Sequence, residues 1–135
     1  MVKIIIGVKG TGKTKALISM VNEAAEKSTG NVVCIEKGVG LRFDIKPTVR
    51  LINTNEYLVF DAEALYGFVA GILASNHDVT DLFIDGALKI SNNDIVGFEA
   101  FLKEMDELSN KLGVNVIMTS SIPTEEASDL VKKYI

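Results

Sequence analysis

The sequence predicts an α/β fold, a three-layer sandwich whose mostly parallel sheet is covered by helices on both faces and carries a small β-hairpin. Two observations predict it. Short apolar runs of strand length alternate with longer stretches whose apolar residues recur at helical spacing. The runs are apolar throughout rather than alternating, the pattern of strands buried on both faces. At 135 residues, with no repeat, linker or low-complexity segment, the chain is expected to form one domain, 1–135.

Val2 to Ile6 is the first apolar run and stops at Gly7. Leu17, Ile18, Val21, Ala24 and Ala25 then mark one face of a helix, with Gly30 as its C-terminal stop. Asn31 to Ile35 is a second buried strand. Leu41 to Ile45 alternates apolar and polar, and Lys46-Pro47-Thr48 turns it into Val49 to Ile52, which predicts the hairpin. Asp61 caps a helix running to about Ser75 on the face Leu65, Phe68, Val69, Ile72 and Leu73, with Gly67 and Gly71 placed to permit close packing. Thr80 to Asp85 is the next strand. Ser91 and Asp94 resemble a capping box opening a helix with Ile95, Phe98, Leu102, Met105, Leu108 and Leu112 on one side, ended by Gly113. Val114 to Met118 is the last strand, and Pro123-Thr124-Glu125-Glu126 starts a final helix carrying Leu130, Val131 and Tyr134.

Composition narrows the function classes. Hydrophobic residues make up 47% and charged residues 24%, ordinary for a globular chain. One cysteine, Cys34, excludes an internal disulfide and a cysteine-built zinc site, and its strand position reads as core. No run reaches the ~18 apolar residues of a membrane span, and the apolar start is too short for a signal peptide. A cytoplasmic location and no membrane partner are expected. Fourteen basic against eighteen acidic residues leave a net charge of −4, with no basic stripe, which disfavours nucleic acid as a partner. A local anion site needs only a few cations and aimed backbone donors, so it stays compatible with this balance. His77 lies in a polar loop and reads as solvent-facing.

Such a site is written at Gly7-Val8-Lys9-Gly10-Thr11-Gly12-Lys13-Thr14, which satisfies G-x-x-x-x-G-K-[ST] at every fixed position, after a strand and before a helix. The glycines let backbone N–H groups close on phosphate oxygens, and the helix N-terminus aims its dipole at the same anion. Lys13 supplies a charge for the β- and γ-phosphates, and Thr14 a hydroxyl for Mg²⁺. Lys9 either touches phosphate or solvates the loop. The bland alternative is a glycine-rich turn that binds nothing. The residues expected to hold ATP, or another nucleoside triphosphate, are Gly7, Lys9, Gly10, Thr11, Gly12, Lys13, Thr14 and Lys15.

Leu82-Phe83-Ile84-Asp85 ends an apolar strand in a carboxylate, on the sheet edge where open α/β sheets bind ligands. Asp85 and Thr14 are therefore the expected Mg²⁺ holders, at two neighbouring strand ends. The alternative makes Asp85-Gly86 a plain turn. A general base directly after the metal aspartate is absent, because that position is Gly86. Glu36 closes the strand after the loop helix and is either the base or a solvated strand end. Thr119 and Ser120, at the end of the last strand, either sense the γ-phosphate and position water or begin a turn. Lys13, Glu36, Thr119 and Ser120 form the catalytic candidates.

These residues resemble the RecA-like branch of P-loop ATPases. Three stretches carry the resemblance: Gly7 to Thr14, Leu82 to Gly86, and Glu107 to Pro123, the last similar to the helix–strand–turn that ends in a polar sensor in recombinase and clock-protein cores. The resemblance implies a P-loop NTPase core using ATP and Mg²⁺, with Glu36 as the catalytic glutamate. No arginine follows Arg50, so none in the C-terminal half can serve as an arginine finger. Twitching-motility labels can follow from P-loop similarity, but nothing here resembles the N-terminal domain or the Asp and His boxes of those motors. The expected activity is Mg-ATP binding with slow hydrolysis raised by a protein partner, and self-association is expected at a sheet edge near the loop strand. The alternatives are a nucleotide-dependent switch or scaffold with little turnover, and a small-molecule kinase, for which only Arg42 and Arg50 could furnish a lid.

Overall fold

Five parallel strands form the middle layer of the protein, described over residues 1–135 by a computed structural model. They are β1 (Val2–Ile6), β2 (Asn31–Glu36), β3 (Arg50–Asn53), β4 (Val79–Ile84) and β5 (Asn115–Ser120), in the spatial order β1-β5-β4-β2-β3. The helices are α1 (Lys13–Lys27), α2 (Ala62–Ser75), α3 (Ala87–Ile90), α4 (Ile95–Leu112) and α5 (Asp129–Lys132). Side chains alternate across each strand, so every strand feeds two cores. Val33 and Ile35 of β2 join Leu65 and Val69 of α2 and Phe98, Leu102 and Met105 of α4 on one face. Val32 and Cys34 join Leu17 and Val21 of α1 on the other. Burial pushes the Cys34 thiol up to about 12, so it is an inert core group.

The hairpin is not formed. β3 runs parallel to β2, with Cys34 opposite Leu51, and the sheet is parallel throughout. The reason lies in the buried residues of the preceding stretch, Leu41, Ile45 and Val49, which recur every fourth position. That spacing stacks consecutive turns against α1, with the Ile45 amide donating to the Leu41 carbonyl. Asn22 of α1 pins these turns, donating to the Asp44 carbonyl at 2.8 Å and accepting from the Lys46 amide at 3.0 Å.

Caps explain most of the helix ends. Asp61 accepts from the Ala64 amide and opens α2, and Gly113 ends α4 in the left-handed conformation, as the sequence predicts. Ser91 does not share in capping α4. Its hydroxyl donates to the Ala87 carbonyl and closes α3, while Asp94 alone accepts from Gly97. The predicted final helix is a 3₁₀ turn (Thr124–Glu126) followed by the short α5, which Ser128 caps by accepting from the Val131 amide. His77 is exposed, as expected, and no helix is long and apolar enough to cross a membrane. The outer edge of β1 meets the C-terminal turn, where the Ile4 amide donates to the Tyr134 carbonyl at 2.7 Å.

Three glycines differ from their expected roles. Helix α1 stops at Ser28, whose amide donates to Ala24, and Gly30 serves instead to let the backbone pass the Asp78 carbonyl. Gly67 and Gly71 face open space on α2 and pack against nothing. A methyl group at position 30 would fall on the Asp78 carbonyl oxygen, a backbone atom with little room to yield. Gly30→Ala is expected to cost about 1–3 kcal/mol, the scale of overpacking. Gly67→Ala, exposed and unobstructed in a helix interior, is expected to add about 0.5–1 kcal/mol. Urea midpoints of the two variants against the parent check both signs.

Candidate functional site

The candidate site grows out of one row of residues along the C-terminal edge of the sheet. Phe83 of β4 points to the α1 side, so Asp85, two residues on, points there too. Its amide donates to the Ile35 carbonyl at 2.8 Å and extends the strand pairing by one step. Register then sets Glu36 level with Asp85 on one side and Thr119 on the other, since Ile35 pairs with Ile84 and Ile84 with Met118. The order of strands differs from expectation. Strand β5 lies between β1 and β4, so the glycine loop and Asp85 do not leave neighbouring strands.

Hydroxyl groups close that gap. Thr14, in the first turn of α1, donates to Asp85 with distances of 3.2 and 3.3 Å to its two oxygens. Thr119 Oγ1 donates to Asp85 Oδ1 at 2.7 Å and accepts from the Gly86 amide at 2.9 Å. Gly86 has a φ of +73°, the left-handed turn that sends the chain directly into α3.

The loop Gly7–Thr14 is tied to itself through one acceptor. The Val8 carbonyl receives Thr11 Oγ1 at 2.7 Å and the Lys13 ammonium at 2.9 Å. Gly12, with a φ of +86°, is the N-cap of α1 and has no side chain to offer as an acceptor. No acidic residue occupies the first turn either. The opening N–H groups of α1 are therefore left facing the cleft, which is where an anion gains from them.

A cleft of about 650 Å³ lies between the loop and α3. Of the candidate site residues, Lys9, Gly10, Gly12, Lys13, Thr14, Lys15, Asp85 and Thr119 line it. Gly7 and Thr11 do not line it; Thr11 instead braces the loop through Val8. Ser120 does not line it either, because it is one residue past Thr119 and faces the opposite side of the sheet, where it accepts from the Leu88 amide at 3.3 Å. The serine that lines the cleft is the next one, Ser121. Lys89 of α3 and Asn93 complete the far wall. The tandem Asn92-Asn93, both left-handed with φ of 59° and 56°, is the local signal for that turn, since asparagine tolerates this conformation better than most side chains.

Glu36 is 5% exposed and does not line the cleft. Its Oε2 accepts from the Leu41 amide at 3.1 Å, so the carboxylate holds the turns that follow β2. Burial raises its pKa, the Leu41 and Gly40 amides pull it back, and the charge of Asp85 pushes it up again.

The donors suit a hard cation. Thr14 and Asp85 offer hydroxyl and carboxylate oxygen, and no group of three or more His, Cys, Asp or Glu side chains forms a self-sufficient metal cage. Mg²⁺ held largely by phosphates and water, with one carboxylate and one hydroxyl from protein, fits this set.

No protein-family model and no curated protein matches the chain. Among solved structures it is similar to a KaiC-like protein from the hyperthermophilic archaeon Pyrococcus horikoshii OT3, with a TM-score of 0.71 and 15% identity. The match covers 98% of this chain and 66% of that one. The α/β three-layer fold expected from the sequence, with its sheet covered by helices on both faces, is the fold observed.

The environment of Glu36 has a consequence for stability. Its folded pKa lies above the ordinary 4.5, so between the two values the folded state binds more protons than the unfolded state. Its contribution to stability is therefore greatest at acid pH and falls as pH rises through the folded pKa. Glu36→Gln is expected to lose that part of the pH dependence, so the gap in Tm between variant and parent should shift in the variant's favour above pH 4.5. Thermal melts of both proteins from pH 4 to 8 check the sign; parallel curves would show that the carboxylate titrates alike in both states.

Proposed function

We propose that the cleft binds a nucleoside triphosphate, ATP in the first instance, together with Mg²⁺, and that the protein hydrolyses it slowly. The observation that supports this best is the meeting of Thr14 and Asp85 beside the Lys13 loop, in a cleft whose helix N-terminus has no acceptor of its own. The loop amides and the start of α1 would receive phosphate oxygens, and Lys13 would exchange the Val8 carbonyl for the β- and γ-phosphates. Thr14 and Asp85 would hold Mg²⁺, which when bound neutralises phosphate charge and polarises the terminal phosphoryl group. Thr119 orients Asp85 and stands at the sheet edge, where an attacking water could be positioned.

Glu36 is the proposed base. A buried carboxylate with a raised pKa accepts a proton more readily than a solvated one. In that role it takes the proton of water as the water oxygen attacks the terminal phosphorus and the bond to the leaving diphosphate oxygen breaks. One observation favours a second reading, a nucleotide-dependent switch with little turnover: Glu36 is engaged by the Leu41 amide and stands outside the cleft lining. Turnover then requires a rearrangement of the turns after β2, which a protein partner or a second copy could supply.

Calorimetry tests the binding reading. Lys13→Ala is expected to weaken Mg-ATP binding by about 1.5–3 kcal/mol, the worth of a charge-assisted hydrogen bond. Asp85→Asn is expected to make affinity far less dependent on Mg²⁺ than in the parent. Equal ATP affinity in the parent and Lys13→Ala would sink the nucleotide assignment.

Single-turnover hydrolysis at high protein concentration separates the enzyme from the switch. With Glu36 as the base, Glu36→Gln should slow hydrolysis by ~10²–10⁴-fold at nearly unchanged ATP affinity. Equal rates well above buffer would release Glu36 from that role, and rates at the buffer level for both would favour the switch.

A further inference from the structure

The two walls of the cleft differ in what the assignment above explains. The near wall is the glycine loop and the start of α1, with Lys9, Lys13 and Lys15. The far wall is built from α3 and the turn after it, and its cation is Lys89. Against these four lysines the cleft has one carboxylate, Asp85. The two ion pairs of the chain, Lys27 with Glu23 and Lys46 with Glu26, lie elsewhere, so no carboxylate neutralises any of the four. In a chain of net charge −4 this is a local reversal of sign.

Resting on the nucleotide reading, we propose that Lys89 contacts the terminal phosphate from the far wall and makes the site prefer a nucleoside triphosphate to the diphosphate. Place and anchoring carry this. α3 begins two residues after Asp85, so Lys89 stands on the metal-holding side of the cleft, opposite the lysine of the loop. Its backbone is held firmly although its side chain is exposed. The Gly86 amide donates to Thr119, the Leu88 amide donates to Ser120, and Ala87 and Ile90 are buried in the core. A flexible ammonium on a fixed base can follow a phosphate without straining the fold. No arginine occurs after Arg50, so Lys89 is the cation that this wall contributes. The loop lysine meets the β-phosphate in either nucleotide, whereas a cation reaching from α3 gains only when a third phosphate is present.

The test measures affinities for Mg-ATP and Mg-ADP in the parent, Lys89→Ala, Lys89→Met, Lys89→Arg and Lys13→Ala by calorimetry, with Tm as a check on folding. The parent is expected to prefer ATP. Lys89→Ala and Lys89→Met should lose about tenfold in ATP affinity and under twofold in ADP affinity, the worth of one charge-assisted contact, while Lys89→Arg keeps the preference. Lys13→Ala should lose affinity for both nucleotides. An unchanged ATP-to-ADP ratio in Lys89→Ala and Lys89→Met overturns the role of Lys89 while leaving nucleotide binding intact. A parent that binds neither nucleotide overturns both readings.

Discussion

The carboxylate of Asp85 is the point on which the site depends. It receives hydroxyls from two separate elements, Thr14 of α1 and Thr119 of β5, and the second hydroxyl also takes the amide of Gly86. The strand order makes this necessary. With β5 inserted between β1 and β4, the loop and the carboxylate leave strands that are not neighbours, and Thr14 of α1 reaches Asp85 directly. Thr119, on the intervening strand, steadies the carboxylate end of that contact, because its hydroxyl donates to Asp85 and accepts from the Gly86 amide. A valine of the same shape would fill the space and leave both Asp85 and the Gly86 amide short of a partner, at the cost that attends an unmade buried bond.

The period of two along a strand governs the rest of the row. Asn53, Glu36, Asp85 and Thr119 fall level across four parallel strands and face the α1 side, because the register is unbroken from β3 to β5 at this end of the sheet. Each answers a different local demand. Asn53 accepts from the Gly38 and Asn55 amides, Glu36 accepts from the Leu41 amide, and the other two are joined to one another. Ser120 shows the other side of the rule. One residue along, it serves the far face and anchors α3 through Leu88. The two faces thereby share the work, since the strand end that orients Asp85 also seats the helix that bears Lys89.

The parts legible in the sequence are those whose constraint is local. The glycine loop, Asp61 at the start of α2, Gly113 at the end of α4 and the carboxylate after Leu82-Phe83-Ile84 each follow from a few adjacent residues. The parts not legible depend on partners distant in sequence. Arg50 to Asn53 has the composition of a strand in any sheet, and only its pairing with β2 makes it parallel rather than a hairpin arm. Gly30 is required by the carbonyl of Asp78, forty-eight positions on, and no neighbouring residue records that. Lys89 is an ordinary helix lysine in sequence and becomes part of the cleft only because Gly86 turns α3 towards the loop.

Glu36 joins the site to a part of the molecule that has no chemistry of its own. A buried carboxylate costs free energy unless its oxygens are satisfied, and here the amides that satisfy them belong to the turns between β2 and β3. Those turns are held at their other end by Asn22, on the helix that begins at the glycine loop. The stretch from Gly38 to Val49 is therefore fastened both to the strand edge beside Asp85 and to the side of α1. Any process that draws Glu36 towards the cleft must release the Leu41 amide, and the hydrophobic contacts of Leu41, Ile45 and Val49 with α1 oppose that release. The cost of freeing Glu36 is thus set by packing against α1 rather than by the acid–base groups themselves. A partner that bound these turns and shifted them would move Glu36 without touching the cleft.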